Sequence, residues 1–213
     1  FIVSDYQLGR FLTVNVIWNI LGVVIPLFVA LFTIPILIDS LGKERFALLA
    51  IAWMLIGYFS LFDSCRGRAL TKLIAEHQGG KKHGDIADSI WSAIWLMSIL
   101  GIIGFLVLFS IADFLTESLL NVPIELRLEA KFSIQIIAFA IPFVILSSAL
   151  IGILEAYQKF YIISMIRIPM GMITFIGPLI ALIFSPRLEF IMLILVLGRM
   201  FSMFVYYIVA ARY

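Results

Sequence analysis

The stretch "GYFSLFDSCRGRALTKLIAEH", Gly57 to His77, decides how the chain is read. It opens as the end of an apolar segment. Within six residues it places Asp63, Arg66 and Arg68, then continues as a basic, half-apolar tail. Charge is costly in hydrocarbon, and Lys and Arg gather on the cytoplasmic side of a membrane, so this change marks the edge of a bilayer. Leu70, Leu73, Ile74 and His77 fall on one helical face, and Arg68, Lys72 and Glu76 on another. Residues 67–77 therefore read as a helix lying at headgroup level. A sharper reading makes Asp63, Arg66 and Arg68 the cytoplasmic mouth of a polar path.

Composition agrees with a membrane edge there. Of 213 residues, 63% are hydrophobic and 13% charged, and the mean hydropathy is +1.16. Soluble domains carry about a quarter charged residues, and no soluble fold could cover this much apolar surface. The apolar runs are long and do not alternate, which points to helices and an all-α integral membrane protein. The single cysteine, Cys65, excludes an internal disulfide framework. The net charge of +2 gives no sign of a nucleic-acid partner. The chain begins at Phe1, so residues before it are expected. No signal peptide is expected, because 11–38 is too long for an h-region and lacks a small-residue cleavage site.

Six apolar segments approach the ~20 residues that cross a bilayer. They are 11–38, 46–63, 88–110, 131–154, 161–184 and 189–211. With six crossings both termini share one side. That side holds Arg10, Arg66, Arg68, Lys72, Lys81, Lys82, Lys159, Arg167 and Arg212. The other holds Lys43, Arg45, Arg127, Lys131 and Arg187. The excess of Lys and Arg places the termini in the cytoplasm. Pro26, Pro35, Pro142, Pro169 and Pro178 are expected to break or bend their spans.

Polar residues inside the spans recur on helical faces. Asn15, Asn19, Gly22 and Pro26 share one face of the first span, Arg167, Gly171, Thr174 and Pro178 one face of the fifth, and Arg199, Ser202 and Tyr206 one face of the sixth. Such stripes must meet protein or water. Small residues there also serve close helix packing, and Asn can hydrogen-bond between helices. Arg199 stands apart. It lies about ten residues into its span, near the midplane at ~1.5 Å per residue. Without water or a partner it would cost at least ~2.5 kcal/mol. The alternatives are an internal cavity and a structural ion pair, for which Asp63 and Glu155 are the nearest carboxylates by depth. No H-E-x-x-H, Walker A or C-x-x-C motif is present. No metal or other cofactor is expected.

The run from Asn15 to Glu76 resembles the amino-terminal part of the polysaccharide-unit (O-antigen type) flippases. These are polysaccharide biosynthesis membrane proteins of the multidrug, oligosaccharidyl-lipid and polysaccharide exporter superfamily. The resemblance rests on Pro26, Pro35, the Leu41-Gly42 turn followed by Arg45-Phe46, and Asp63 before Gly67-Arg68-Ala69-Leu70-Thr71 and Ala75-Glu76. It continues in "GILEAYQKF" (Gly152–Phe160) with Arg167 and Pro169. Ser64, Cys65 and Arg66 depart from the Gly and apolar residue usual between the Asp and the Gly-Arg.

This resemblance implies one six-helix, amino-terminal lobe, residues 1–213, of a two-lobe MATE-like transporter, with the second lobe downstream. It implies movement of an undecaprenyl-pyrophosphate-linked oligosaccharide from the cytoplasmic to the outer leaflet of the bacterial or archaeal cytoplasmic membrane, with no covalent chemistry. The expected partners are that lipid-linked substrate, membrane lipids and the second lobe. Asn15, Asn19, Arg167 and Arg199 are the expected cavity residues, since guanidinium grips phosphate and amides bond sugar hydroxyls. The competing readings are a small-molecule exporter of the same superfamily, and a membrane scaffold or enzyme.

Overall fold

The computed structural model describes residues 5–58, 84–120 and 122–212, with 5–15 and 84–90 as backbone alone. Asp63, Arg66, Arg68 and the expected interfacial helix 67–77 lie outside the described residues.

Backbone N–H and C=O groups cannot be left unpaired in lipid, and an apolar chain meets that demand within itself as helix. Among the described residues there is no strand. Helix α1, Asp5–Leu41, continues through both Pro26 and Pro35. It ends at Gly42, whose φ of +78° suits a residue without Cβ. The Gly42 N–H closes on the Ile38 carbonyl at 3.0 Å. Helix α2 follows over 43–58. Helix α3 is Gly84–Ser110.

The connection after α3 is ordered into turns: α4, Ala112–Phe114, a π-turn over Leu115–Leu119, and a 3₁₀ turn over Ile124–Leu126. Buried Thr116 secures it by donating to the Ala112 and Asp113 carbonyls at 3.0 and 2.9 Å.

The fourth expected span, 131–154, is two helices, α5, Arg127–Ala138, and α6, Ala140–Ala156. Pro142 supplies no N–H to the Ala138 carbonyl, and Phe139 turns back onto Ile136 O at 3.1 Å. Of the spans expected to be broken by proline, this one carries the break. The other prolines sit inside continuous α1 and α7, Phe160–Phe184. Helix α8, Leu188–Ala210, completes the chain.

Close contacts fix the helix directions. Gly22 lies against Arg167 and Ser164, and Pro26 against Gly171, so α1 and α7 run parallel. Gly101 touches Pro142, Phe105 stacks on Phe139 at 4.5 Å, and Asp113 pairs with Lys131 at 2.7 Å, so α3 runs antiparallel to α5 and α6. Gly177 beside Ile194, and Tyr206 donating to the Ile163 carbonyl at 3.5 Å, make α7 and α8 antiparallel.

One carboxylate gathers three helix starts. Glu129 Oε2 accepts Arg45 Nε and Nη2 at 3.2 and 3.0 Å, while Oε1 accepts the N–H of Leu188 at 2.8 Å. That N–H belongs to the first turn of α8, where a negative charge is favoured.

Two apolar cores result. One spans Leu37, Leu49, Ile137, Ala149, Leu188 and Met192, and the other spans Leu150, Leu154, Ile163 and Tyr206. The exterior is apolar as well: Leu27 and Leu31 of α1 are 68% and 65% exposed, and Trp95 of α3 is 66% exposed. Such a surface belongs in lipid. Among the described residues, five segments are long and apolar enough to cross a membrane: Val16–Leu41, Trp91–Ser110, Ile124–Ala156, Phe160–Phe184 and Leu188–Ala210. The protein is therefore a multi-pass membrane protein. The second of the six expected spans, 46–63, continues past the described residues.

Candidate functional site

Where the two cores meet, α6, α7 and α8 part around a cavity of about 400 Å³. The sequence explains the parting. On α6 the apolar series is interrupted by Ser147 and Ser148. On α7 the facing residues are Arg167, Gly171 and Thr174. On α8 they are Arg199, Ser202 and Tyr206. Val144, Ile151, Met170 and Phe175 complete the wall. Among the described residues no carboxylate lines it.

Arg199 sits eleven residues from Leu188, roughly 16 Å along α8, close to the middle of a ~30 Å hydrocarbon layer. Among the described residues it makes no ion pair or hydrogen bond, including with Glu155. Its planar guanidinium brings five donors and no acceptor to the cavity.

Arg167 lies about 10 Å from the start of α7 and reaches two places at once. It lines the cavity, and its Nη1 donates to Asn19 Oδ1 of α1 at 3.2 Å. Its Cδ lies 3.6 Å from where a Cβ on Gly22 would stand, so the absence of that Cβ lets the arginine pass α1. Asn19 thus meets Arg167 at the edge of the cavity. Asn15 belongs to the part of α1 described as backbone alone.

Three of the hydroxyls around the cavity share one habit. Ser147 donates to Phe143 O at 2.7 Å, Ser148 to Val144 O at 3.3 Å and Thr174 to Met170 O at 2.9 Å. Each proton is spent on its own helix four residues back. The oxygens of Ser147 and Thr174 keep lone pairs as acceptors, complementing the arginine donors. Behind Phe175, Trp53 of α2 stacks edge-on at 5.2 Å, and its indole N–H has no hydrogen-bond partner among the described residues.

Sequence reasoning missed two features. Glu129 drew no role from the sequence, yet it ties α2, α5 and α8 together. Its position two residues after Arg127, at the start of an apolar run, was the available signal. The serines of α6 were also passed over, because two adjacent serines in an apolar helix look like ordinary packing positions.

Comparison with known proteins follows the same direction. Residues 12–213 match the family described as "Polysaccharide biosynthesis protein". A Shigella flexneri protein named "Putative O-antigen transporter" is 27% identical over 150 residues, which are 70% of this chain and 35% of that protein. The chain thus covers about a third of that relative's length. No solved structure matches. With all but its first eleven residues inside the family match, the chain belongs to the polysaccharide biosynthesis protein family.

Proposed function

We propose that this chain is the amino-terminal lobe of a transporter that flips a lipid-linked oligosaccharide, carried on undecaprenyl pyrophosphate, across the cytoplasmic membrane. The observation that carries the reading is the cavity of Arg167 and Arg199. Two cations stand at membrane depth in a lobe with an apolar exterior, with no carboxylate lining the space among the described residues. A charge at the midplane costs at least ~2.5 kcal/mol unless something offsets it. A passing pyrophosphate or anionic sugar would offset it, held by bidentate hydrogen bonds. Asn19 steadies Arg167, and the hydroxyl oxygens of Ser147 and Thr174 accept from sugar hydroxyls. No covalent step is needed, and no cofactor is assigned.

Six crossings fit the helix directions. Helix α2 starts beside the start of α5, where Arg45 meets Glu129, whereas α3 starts at the opposite end of the bundle. In this reading the chain between 43 and 84 crosses the lobe. Its described part alone would cover roughly 24 Å as helix. The termini and the 66–86 segment are cytoplasmic in this reading. A second lobe covers the cavity's open side.

The test is export of the glycan in cells carrying Arg199→Lys or Arg199→Leu at matched membrane levels. Leu abolishes export and Lys keeps part of it, because charge survives but the bidentate fork does not. Full export with Arg199→Leu would refute the assignment.

A further inference from the structure

A second cavity, of about 420 Å³, lies between α3, α6 and α8. This is within the ~300–1,000 Å³ range of ligand sites. Its walls are apolar, and the hydroxyl of Ser98 is already spent on Ile94 O at 2.7 Å. It runs along α6 from Leu146 to Tyr157, roughly 16 Å at 1.5 Å per residue. Volume over length leaves a slot about 25 Å² in cross-section, room for a single hydrocarbon chain. Trp91 and Tyr207, 61% and 54% exposed, form part of its wall. With Tyr157 they stand near the helix ends, where aromatic side chains settle at the headgroup level.

We propose that this slot binds one acyl chain of an anionic phospholipid, a site separate from the transport cavity. Three observations choose that occupant. First, the slot is long, narrow, apolar and bounded by interfacial aromatics, which suits a chain whose headgroup stays at the surface. Second, Ala211 in its wall is followed by exposed Arg212, and Lys159 lies two residues beyond Tyr157. Glu155 is also at this end, but the sequence assigns the whole side nine Lys and Arg against six carboxylates (Asp5, Asp63, Glu76, Asp85, Asp88, Glu155). An anionic headgroup is favoured there. Third, α6 and α8 line both cavities from opposite faces: Ser148 and Ser202 look one way, and Leu146 and Met203 the other. A lipid tail attached to a headgroup held by Arg199 would have to pass through the α6–α8 seam to reach the slot. The occupant is therefore a membrane phospholipid and not the tail of the transported carrier.

The experiment is native mass spectrometry of the protein purified in mild detergent. The probes are phosphatidylglycerol, phosphatidylcholine with the same chains, and polyprenyl phosphate. The expected result is one long-lived phosphatidylglycerol adduct, with phosphatidylcholine held about fivefold less tightly, the factor one basic side chain supplies at an anionic surface. Met203→Trp fills the slot and removes the long-lived adduct of both phospholipids. Arg212→Gln keeps an adduct but loses the preference. If Met203→Trp does not fold, Ser98→Leu narrows the same slot from α3. Equal adducts in wild type and the slot-filling variant would overturn the site. Retained preference in Arg212→Gln would overturn the anionic assignment, and displacement by polyprenyl phosphate would overturn the choice of lipid. None of these readouts depends on transport, so they stand or fall separately from the proposed function.

Discussion

Gly171→Ala perturbs the account at its tightest point. A Cβ on Gly171 would stand 2.5 Å from Pro26 Cγ and 2.8 Å from Pro26 Cβ. Carbon atoms rest at about 3.5–4.0 Å, and the proline ring cannot rotate aside. Helix α1 must therefore back away from α7 by roughly 1 Å, a gap that forfeits a quarter to a half of the attraction at each contact. The loss matters because α1 is held along one stripe. Among its described side chains, Gly22, Pro26, Ala30, Thr33, Leu37 and Leu41 are buried and the others are largely exposed. In lipid there is no hydrophobic force to compensate, so packing and hydrogen bonds carry the association. Overpacking of this kind costs about 1–3 kcal/mol, and the 3.2 Å Arg167–Asn19 bond stretches beyond hydrogen-bond range with it. The assay is a cross-link. Cβ atoms at Gly22 and Ser164 would be 4.0 Å apart, inside the ~3.5–4.5 Å a disulfide needs. Gly22→Cys with Ser164→Cys, in a Cys65→Ser background, should oxidise readily. Adding Gly171→Ala should lower the cross-linking yield and the melting temperature in detergent. Unchanged yield and melting temperature would refute the seam.

Other expectations concern the opposite end of the lobe. Glu129→Ala leaves Arg45 and the Leu188 N–H without their acceptor and should cost about 1.5–3 kcal/mol, as for hydrogen bonds to a charged group. Asp113→Ala removes an ion pair whose carboxylate side is 58% exposed and should cost under ~1 kcal/mol. Thermal unfolding of the two variants checks the order. Cysteines introduced by Lys82→Cys and Glu117→Cys in the Cys65→Ser background should label from opposite sides of the membrane, and labelling of both by an impermeant reagent from outside would invert the topology.

Much of the lobe was legible because lipid enforces helix on any long apolar run. The expected segments 161–184 and 189–211 differ from α7 and α8 by no more than one residue at each end. The break at Phe139 was less legible. Pro142 announced it, but Pro26 and Pro178 announce the same and sit inside continuous helices. What separates them is tertiary: Pro26 is buried on Gly171, which no sequence period reveals. The polar faces of α7 and α8 were readable from spacing, and they meet in one cavity with Arg167 and Arg199. The pairing of Asn19 with Arg167 was not readable, since spacing within one span does not show how α1 is offset along α7. The Glu129 clamp was hidden for a similar reason, because its partners lie 84 and 59 residues away.

The most direct measurement reconstitutes the full-length protein in liposomes with an undecaprenyl-pyrophosphate-linked oligosaccharide and follows appearance of the glycan on the opposite leaflet. The account predicts transfer above protein-free liposomes, lost with Arg199→Leu and partly kept with Arg199→Lys, while both variants insert and unfold like the wild type. Transfer by Arg199→Leu at the wild-type rate, or none by the wild-type protein with its helices intact, would contradict it.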